Sequence, residues 1–458
     1  MPAKDIQESE LLSVQRAEEI FSTAVAAARG MGVGDLEAMI AAGTHALTRF
    51  ANNTIHQNVA ERSGYLSVRA LVDGRTARAN TNRLDAQGIR SAVEQAIAVA
   101  RLQEPDPELL PLAEAPKYYS EPARFFAKTA AITPGERAEA VTQAIAAVES
   151  SSQTAAGIYS TGESALALLN TNGVFGYDAE TLAQFSITAL AGDSSGWAKQ
   201  TSCDTADLNP LELARSAARK ASASGAPSEI PPGRYTVVLE PSAVLDLVGQ
   251  LFGDFSATAL RDERSFLTGR IGDKMFGDNI TIYDDINHPL QSGVPFDGEG
   301  VPRERVALVE KGVARNVVYC RQAAVRAGVM PTGHGFPVPN DLGEAPMNIV
   351  IAGGDTPIER MITSTERGIL VTRLWYIREV DPYQKIMTGM TRDGTFLIEG
   401  GKVTRGLKNF RFNQNLIELL TNVEALSPAV RASGEETFDM VVPAMKVREF
   451  NFTEVTRS

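Results

Sequence analysis

The chain has 458 residues with 44 basic and 56 acidic side chains, a formal charge of −12, and 43% hydrophobic against 22% charged residues. That balance excludes an intrinsically disordered chain and disfavours DNA or anionic lipid as a main partner, because neutralising phosphates needs a surplus of Lys and Arg on one face. Two cysteines (Cys203, Cys320) and four histidines (His45, His56, His288, His334) exclude a disulfide scaffold and a paired-cysteine zinc module, and read as reduced thiols in a cytosolic protein.

At roughly 150 residues per domain the length allows about three domains. The N-terminal stretch MPAKDIQESELLSVQRAEE is polar, with no apolar segment to serve as a signal peptide, and no run of apolar residues is long enough to cross a membrane. A soluble, cytoplasmic protein is expected.

Residues 9–30 place Val14, Ala17, Phe21, Ala24, Val25 and Ala28 on one helical face, and the pattern stops at Gly30. The following Gly30-Met31-Gly32-Val33-Gly34 comes after a helix rather than a strand, so it is a helix stop and not a dinucleotide loop. Period-two runs at 46–50 and 63–72 then meet Asp73-Gly74, a type I′ hairpin signal, and continue to Asn80. A helix follows from Asp85, and the proline-broken EPDPELLPLAEAP reads as an extended connector. Thr133-Pro134-Gly135-Glu136 has the order of a capping box and opens a helix to about Ser150. Residues 155–201 alternate in three runs, a strand meander. Ser222–Gly233 combines small residues with three prolines before a strong strand at 235–239, and marks a domain boundary. Beyond it lie short strands with turn signals, a helix near the start and another around 413–423. The expected organisation is an N-terminal α+β domain over 1–110, a central α+β domain over 111–225, and a β-rich domain over 232–458. The fold class is α+β, with mixed N-terminal lobes followed by a largely antiparallel, curved β assembly with one helix at its start.

Three segments look chemical. Gly192-Asp193-Ser194-Ser195-Gly196 matches G-x-S-x-G, but a nucleophile elbow needs a helix after it, and the polar WAKQTSCDTADLNP favours a hairpin tip. The loop 292–302 carries Asp297 and Glu299 among glycines and prolines. Two carboxylates could share acid and base roles in a cleft, although a tight crossing explains the glycines as well. After Leu239, Val244, Leu247, Val248, Leu251, Phe252, Phe255 and Ala259 repeat at helical spacing and predict one amphipathic helix, whose other face carries Asp246, Gly249, Gln250, Gly253 and Asp254.

From this helix onward the sequence resembles the TldD/PmbA family, also labelled modulators of DNA gyrase. Its catalytic members form a heterodimeric zinc metalloprotease, TldD with TldE. The matching stretches run along most of the chain. They include Arg62–Arg75, Leu239–Val244, Ser265–Gly272, Thr281–Asp285, Pro295–Pro302, Leu308–Gly312 and Thr388–Gly394. In the catalytic branch this helix carries HExxxH, two zinc-binding histidines and a glutamate that activates water. Gly249, Gln250 and Asp254 stand at those positions, and no shift of register restores the motif, because the helix contains no histidine. A third ligand, a cysteine near Phe438–Ala444, is also missing. Glycine has no side chain to bind a metal, an amide is no base, and one carboxylate is too few for a tetrahedral site.

The resemblance therefore implies the TldE/PmbA branch, which lacks the metal centre and encloses the chamber. Zinc is expected on a TldD-like partner, with a peptide or unfolded polypeptide as substrate, no nucleic acid and no membrane, and a homodimer when the partner is absent. No catalytic or metal-binding residue is expected in this chain. Gly249, Gln250, Gly253, Asp254, Asp297, Glu299 and His334 are candidate chamber-lining residues, and an exposed strand edge could pair with an extended peptide. Arg373-Leu374-Trp375-Tyr376 suits either an interface or the core. The alternatives are a self-sufficient hydrolase using Asp254 with Asp297, Glu299 or His334, and a peptide-binding scaffold.

Overall fold

A computed structural model describes residues 8–118 and 122–456; residues 1–7, which open the stretch read for a signal peptide, lie outside the described residues. The chain is α+β, with 24% helix and 40% strand in mostly antiparallel sheets.

The first half runs α1 (Val14–Gly30), β1 (Asp35–Ala51), β2 (Thr54–Val72), β3 (Arg75–Thr81), α2 (Ala86–Leu102), α3 (Ala127–Ala130), α4 (Pro134–Glu149), β4 (Thr154–Asn170), β5 (Phe175–Ala191), β6 (Ser194–Ser202) and α5 (Pro210–Ala223). Its strands make one antiparallel six-stranded sheet in the order β3-β2-β1-β4-β5-β6. Alanine-rich faces seat the helices closely: α1 and α2 pack on β1–β3 through Ala17, Ala24, Ala92 and Ala96, and α4 and α5 pack on β4–β6 through Ala144, Ala214 and Ala217.

Local signals act as the sequence predicts at Asp73-Gly74 (φ 49° and 72°) and at Thr133, where both capping-box bonds form. The hairpin β1–β2 is longer than its period-two pattern. It turns at Asn52-Asn53, whose φ angles of 50° and 59° asparagine tolerates better than most side chains.

The second half runs β7 (Gly233–Leu239), α6 (Pro241–Val248), a 3-10 turn over Gly249–Asp254, α7 (Ala257–Arg261), β8 (Ile282–Asp284), β9 (Val306–Glu310), β10 (Val313–Ala314), α8 (Arg321–Ala327), β11 (Ile349–Ile351), α9 (Ile358–Thr363), β12 (Arg367–Asp381), β13 (Ile386–Glu399), β14 (Lys402–Gly406), β15 (Phe410–Asn415), α10 (Leu416–Thr421), β16 (Val423–Leu426), β17 (Val430–Ala432), β18 (Met440–Val442) and β19 (Met445–Val455). The helix expected at 413–423 is the shorter α10, because residues 410–415 extend as β15. Pairing closes on itself: β12 with β7, β7 with β19, β19 with β15, β15 with β13, and β13 with β12. Inside the curve Phe410, Phe412, Phe450 and Phe452 pack together, with 4.9 Å between the Phe410 and Phe452 centroids. A smaller sheet has the order β10-β9-β8-β11-β18-β17, and α6 packs between β12 and β17–β18.

The G-x-S-x-G segment is a hairpin tip that ties the halves together. Gly192 takes φ 60° at the β5–β6 turn, and the Ser194 hydroxyl donates to the Ala221 carbonyl at 2.8 Å. The Ser195 hydroxyl donates to Asp393 at 2.6 Å, and Asp393 also accepts from Arg373 Nε at 2.8 Å. The Arg373 guanidinium lies 4.7 Å from the Trp197 ring of β6 and 5.5 Å from Trp375. Arg373 and Trp375 thus serve an internal contact, while Tyr376 is exposed. Arg373 and Asp393 are both buried, so Asp393→Ala strands a charge. The substitution is expected to lower unfolding free energy by about 3–5 kcal/mol, checked by urea denaturation; a loss under about 1 kcal/mol would show that the clip carries little.

Candidate functional site

The segment expected to be one amphipathic helix is three pieces. α6 is buried from Ala243 to Val248, the next six residues tighten into the 3-10 turn, Phe255 leaves helical geometry, and Ser256 caps α7 through the Ala259 amide. With neighbours on all sides, α6 has no polar face. Asp246 is fully buried and accepts from the Glu435 amide at 3.0 Å and the Glu436 amide at 2.9 Å. Burial pushes its carboxyl up to about 6, against the pull of those amides.

Gly249 is half-buried, and a Cβ there would meet the Thr437 side chain at 2.6 Å, so the close neighbour is a side chain of this same molecule. Gln250 folds back to the Asp246 carbonyl at 3.3 Å. Gly253 is exposed, with open space where a side chain would stand. Asp254 is buried, with its Oδ2 2.5 Å from Lys385 Nζ and its Oδ1 accepting from the Phe266 amide at 3.2 Å. Burial raises the Asp254 carboxyl above its ordinary range, and Lys385 opposes that rise. Lys385 lies at the β12–β13 turn and also pairs with Glu379 at 2.7 Å. An ammonium group therefore stands beside the one carboxylate left at the HExxxH-equivalent positions.

Asp297, Glu299 and His334 come together elsewhere, in the loops around α8. Asp297 accepts from the amides of Glu299 (2.9 Å), Val301 (3.0 Å) and Gly335 (2.8 Å). Glu299 pairs with Arg321 at 3.3 Å. Burial first and Asp297 second push the Glu299 carboxyl up to about 7, against Arg321 and Arg69. A Cβ on Gly335 would lie 3.1 Å from Asp297, Glu299 and Cys320, so glycine there permits the crossing. His334 places Nδ1 3.0 Å from the Thr332 hydroxyl and Nε2 3.0 Å from Asp284. Burial works against charge on Asp284, yet His334, Arg303 and the Asn348 amide hold its carboxyl below the usual range.

Little in this arrangement is free to react. The Thr332 hydroxyl donates to the Tyr319 carbonyl and accepts from the Tyr319 amide, so it is no nucleophile. Burial pushes the Cys320 thiol up to about 12, far from the thiolate form. Asp254 shares no hydrogen bond or ion pair with Asp297, Glu299 or His334 among the described residues. Nor do three or more His, Cys, Asp or Glu side chains there converge in a way that could hold a metal ion. Zinc does not fit the residues at 249, 250 and 254. Lys385 and Arg69 escaped the sequence reading; Arg69 had a signal, a charge inside the apolar run Tyr65–Val72, whereas a turn lysine has none.

Three family models match in order: PmbA/TldA metallopeptidase domain 1 over residues 36–100, the central domain over 124–224, and the C-terminal domain over 232–454. A metalloprotease of Methanothermobacter thermautotrophicus is 26% identical over 287 residues, covering 59% of this chain and 61% of that protein's length. The metalloprotease PmbA of Escherichia coli O157:H7 is 23% identical over 455 residues, 94% of this chain and 95% of the relative. The crystal structure of TldE from Thermococcus kodakarensis superposes with a TM-score of 0.85 at 22% identity, covering 96% of this chain and 100% of that one, which shows a shared fold.

Replacing Lys385 with Met leaves Asp254 buried without its cation. A loss of about 3–5 kcal/mol is expected in urea denaturation, largely recovered when Asp254→Asn is added; an additive double variant would separate the two residues. Glu299 gives a pH signature. Its folded value of about 7 lies above its ordinary 4.5, so the folded state binds the extra proton between those values and loses stability as pH rises through that window. The Glu299→Gln variant should lose less stability than the parent across it, the difference being on the order of 3 kcal/mol. Parallel slopes in the two proteins would contradict this.

Proposed function

The chain belongs to the PmbA/TldD metallopeptidase family, and from that membership we propose that it is a TldE/PmbA-type subunit, working in the cytoplasm beside a TldD-like chain that carries HExxxH and the zinc. Peptide bonds are cut at the partner's metal, where zinc supplies a Lewis acid and an activated water. This chain contributes the opposing wall of the chamber and helps hold an extended peptide or unfolded polypeptide.

The observation that carries the reading is the Asp254–Lys385 pair at 2.5 Å. Charge accounting favours it. A buried carboxylate already matched by an ammonium gains little from a second cation, and a divalent ion beside Lys385 would meet repulsion in a low dielectric. Gly249 and Gln250 offer neither a metal ligand nor a base. The fold resemblance to TldE over nearly the whole chain supports the same branch. Among the described residues no helix is long and apolar enough to cross a membrane, which is compatible with a chamber free in the cytoplasm.

The test is zinc analysis and peptide hydrolysis on the purified chain, alone and co-purified with an HExxxH-bearing relative. The isolated chain is expected to hold substoichiometric zinc and to leave an unstructured peptide intact, while the complex holds zinc and cleaves it. Stoichiometric zinc with hydrolysis by the isolated chain would overturn the proposal, and so would failure of the two chains to associate.

A further inference from the structure

Between the N-terminal sheet and the loops around α8 lies a cavity of about 240 Å3, lined among others by Arg69, Glu299, Cys320, Gln322, Asp106 and Asp341. Its deep end is made by buried groups, with Arg69 only 2% exposed and Glu299 4%. Its mouth is made by exposed ones, the carboxylates of Asp106 and Asp341 with Asn340 beside them.

Arg69 is the unusual member. Guanidinium stays charged in proteins, so burying it calls for a carboxylate or several acceptors. Its Nε donates to the Thr76 hydroxyl at 3.0 Å. The remaining acid within reach is Glu37, whose Oε2 lies 3.8 Å from Nη1, too far for a hydrogen bond, while its Oε1 is committed to Arg78 at 2.6 Å. Among the described residues nothing hydrogen-bonds to Nη1 or Nη2 of Arg69. Glu299 shares the cavity wall but is engaged by Arg321 at 3.3 Å. The deep end thus presents a cation with two unmet donors, and the mouth presents anions.

We propose that this cavity binds a small zwitterion of amino-acid to dipeptide size, its carboxylate received by Arg69 at the deep end and its ammonium group held near Asp106 and Asp341 at the mouth. Guanidinium meets a carboxylate through two parallel N–H bonds, and that is the geometry Arg69 leaves unused. The volume lies below the ~300 Å3 at which pockets for drug-sized molecules begin, so the ligand is small. The polarity runs the wrong way for an inorganic anion alone, which would gain at Arg69 and be repelled at the mouth. The site belongs to this chain alone and does not depend on the pairing proposed above.

The test is calorimetric titration of the purified full chain with L-alanyl-L-alanine, its C-terminal amide, its N-acetyl derivative, free L-alanine and inorganic phosphate. The free dipeptide or alanine is expected to bind with Kd below about 1 mM. The amide should bind at least about tenfold weaker, and the N-acetyl form weaker as well. Tighter binding of alanine would mark free amino acids as the source of ligand, and tighter binding of the dipeptide would mark peptide fragments; either supports the site. Arg69→Gln should abolish binding, and the exposed change Asp106→Asn should weaken the free dipeptide but not its N-acetyl form. Should Arg69→Gln fail to fold, the acid-against-amide comparison on the unaltered chain still decides. Equal affinity for acid and amide, no heat from any zwitterion, or phosphate binding as tightly as the dipeptide would overturn the proposal.

Discussion

Helix α6 is buried from Ala243 to Val248, between β12 of the closed strand ring and β17–β18 of the small sheet. Apolar side chains there contribute up to about 1.5–3 kcal/mol each, an upper bound because the unfolded chain already hides part of that surface. Every polar group on or just beyond the helix must then find its partner inside the protein, since a buried unpaired carboxylate would cancel several such side chains. Asp246 takes the amides at 435 and 436, which ties a C-terminal turn to the helix. Gly249 leaves the volume that Thr437 fills, and Asp254 takes Lys385 from the β12–β13 turn. Three distant segments are thus held by what one apolar helix cannot satisfy for itself.

The loops between α7 and β11 are held by the same means. They contain few long elements, so backbone amides there lack a ladder to join, and buried carboxylates accept them instead. Asp284 receives the amides of Met347 and Asn348, each at 2.7 Å. Asp297 receives three amides, and Glu344 receives the amides of Thr258 and Cys320 with two hydroxyls besides. An ionised carboxylate offers about four lone-pair sites, so Asp297 and Glu344 have little capacity left for a reacting proton. Two acids close in sequence are consequently unequal: Asp297 is a structural knot, and Glu299 is the one whose charge is poorly supported.

Features that depend on a few adjacent residues were legible in the sequence. The capping box at Thr133 and the Asp73-Gly74 turn are set by local geometry, and both form. The hairpin tip at 192–196 could be separated from a nucleophile elbow because the elbow also requires a helix that the next residues cannot make. The run from Val244 to Ala259 misled for a physical reason. Periods of 3.0 and 3.6 diverge slowly, so a short 3-10 turn preserves the apolar spacing of an α-helix. A segment packed on every side also gives no polar stripe to betray a break. The partners of buried charges were not legible, because Lys385 meets Asp254, and Arg69 meets the cavity, only through long-range packing.

Lys385 and Arg69 are both buried cations, and the difference between them separates a closed place in the fold from an open one. Lys385 has two carboxylates, Asp254 and Glu379, at 2.5 and 2.7 Å, so its charge is met from inside. Arg69 shares Glu37 with Arg78, which holds that carboxylate at 2.6 Å and leaves Arg69 the farther oxygen at 3.8 Å. The sheet register forces the sharing, since Glu37 on β1 and Arg78 on β3 both lie directly across from Arg69 on β2. One acid between two guanidinium groups leaves one positive charge unmatched in a low dielectric. Packing the cavity with apolar side chains would deepen that deficit rather than remove it, so the space beside Arg69 is polar by necessity.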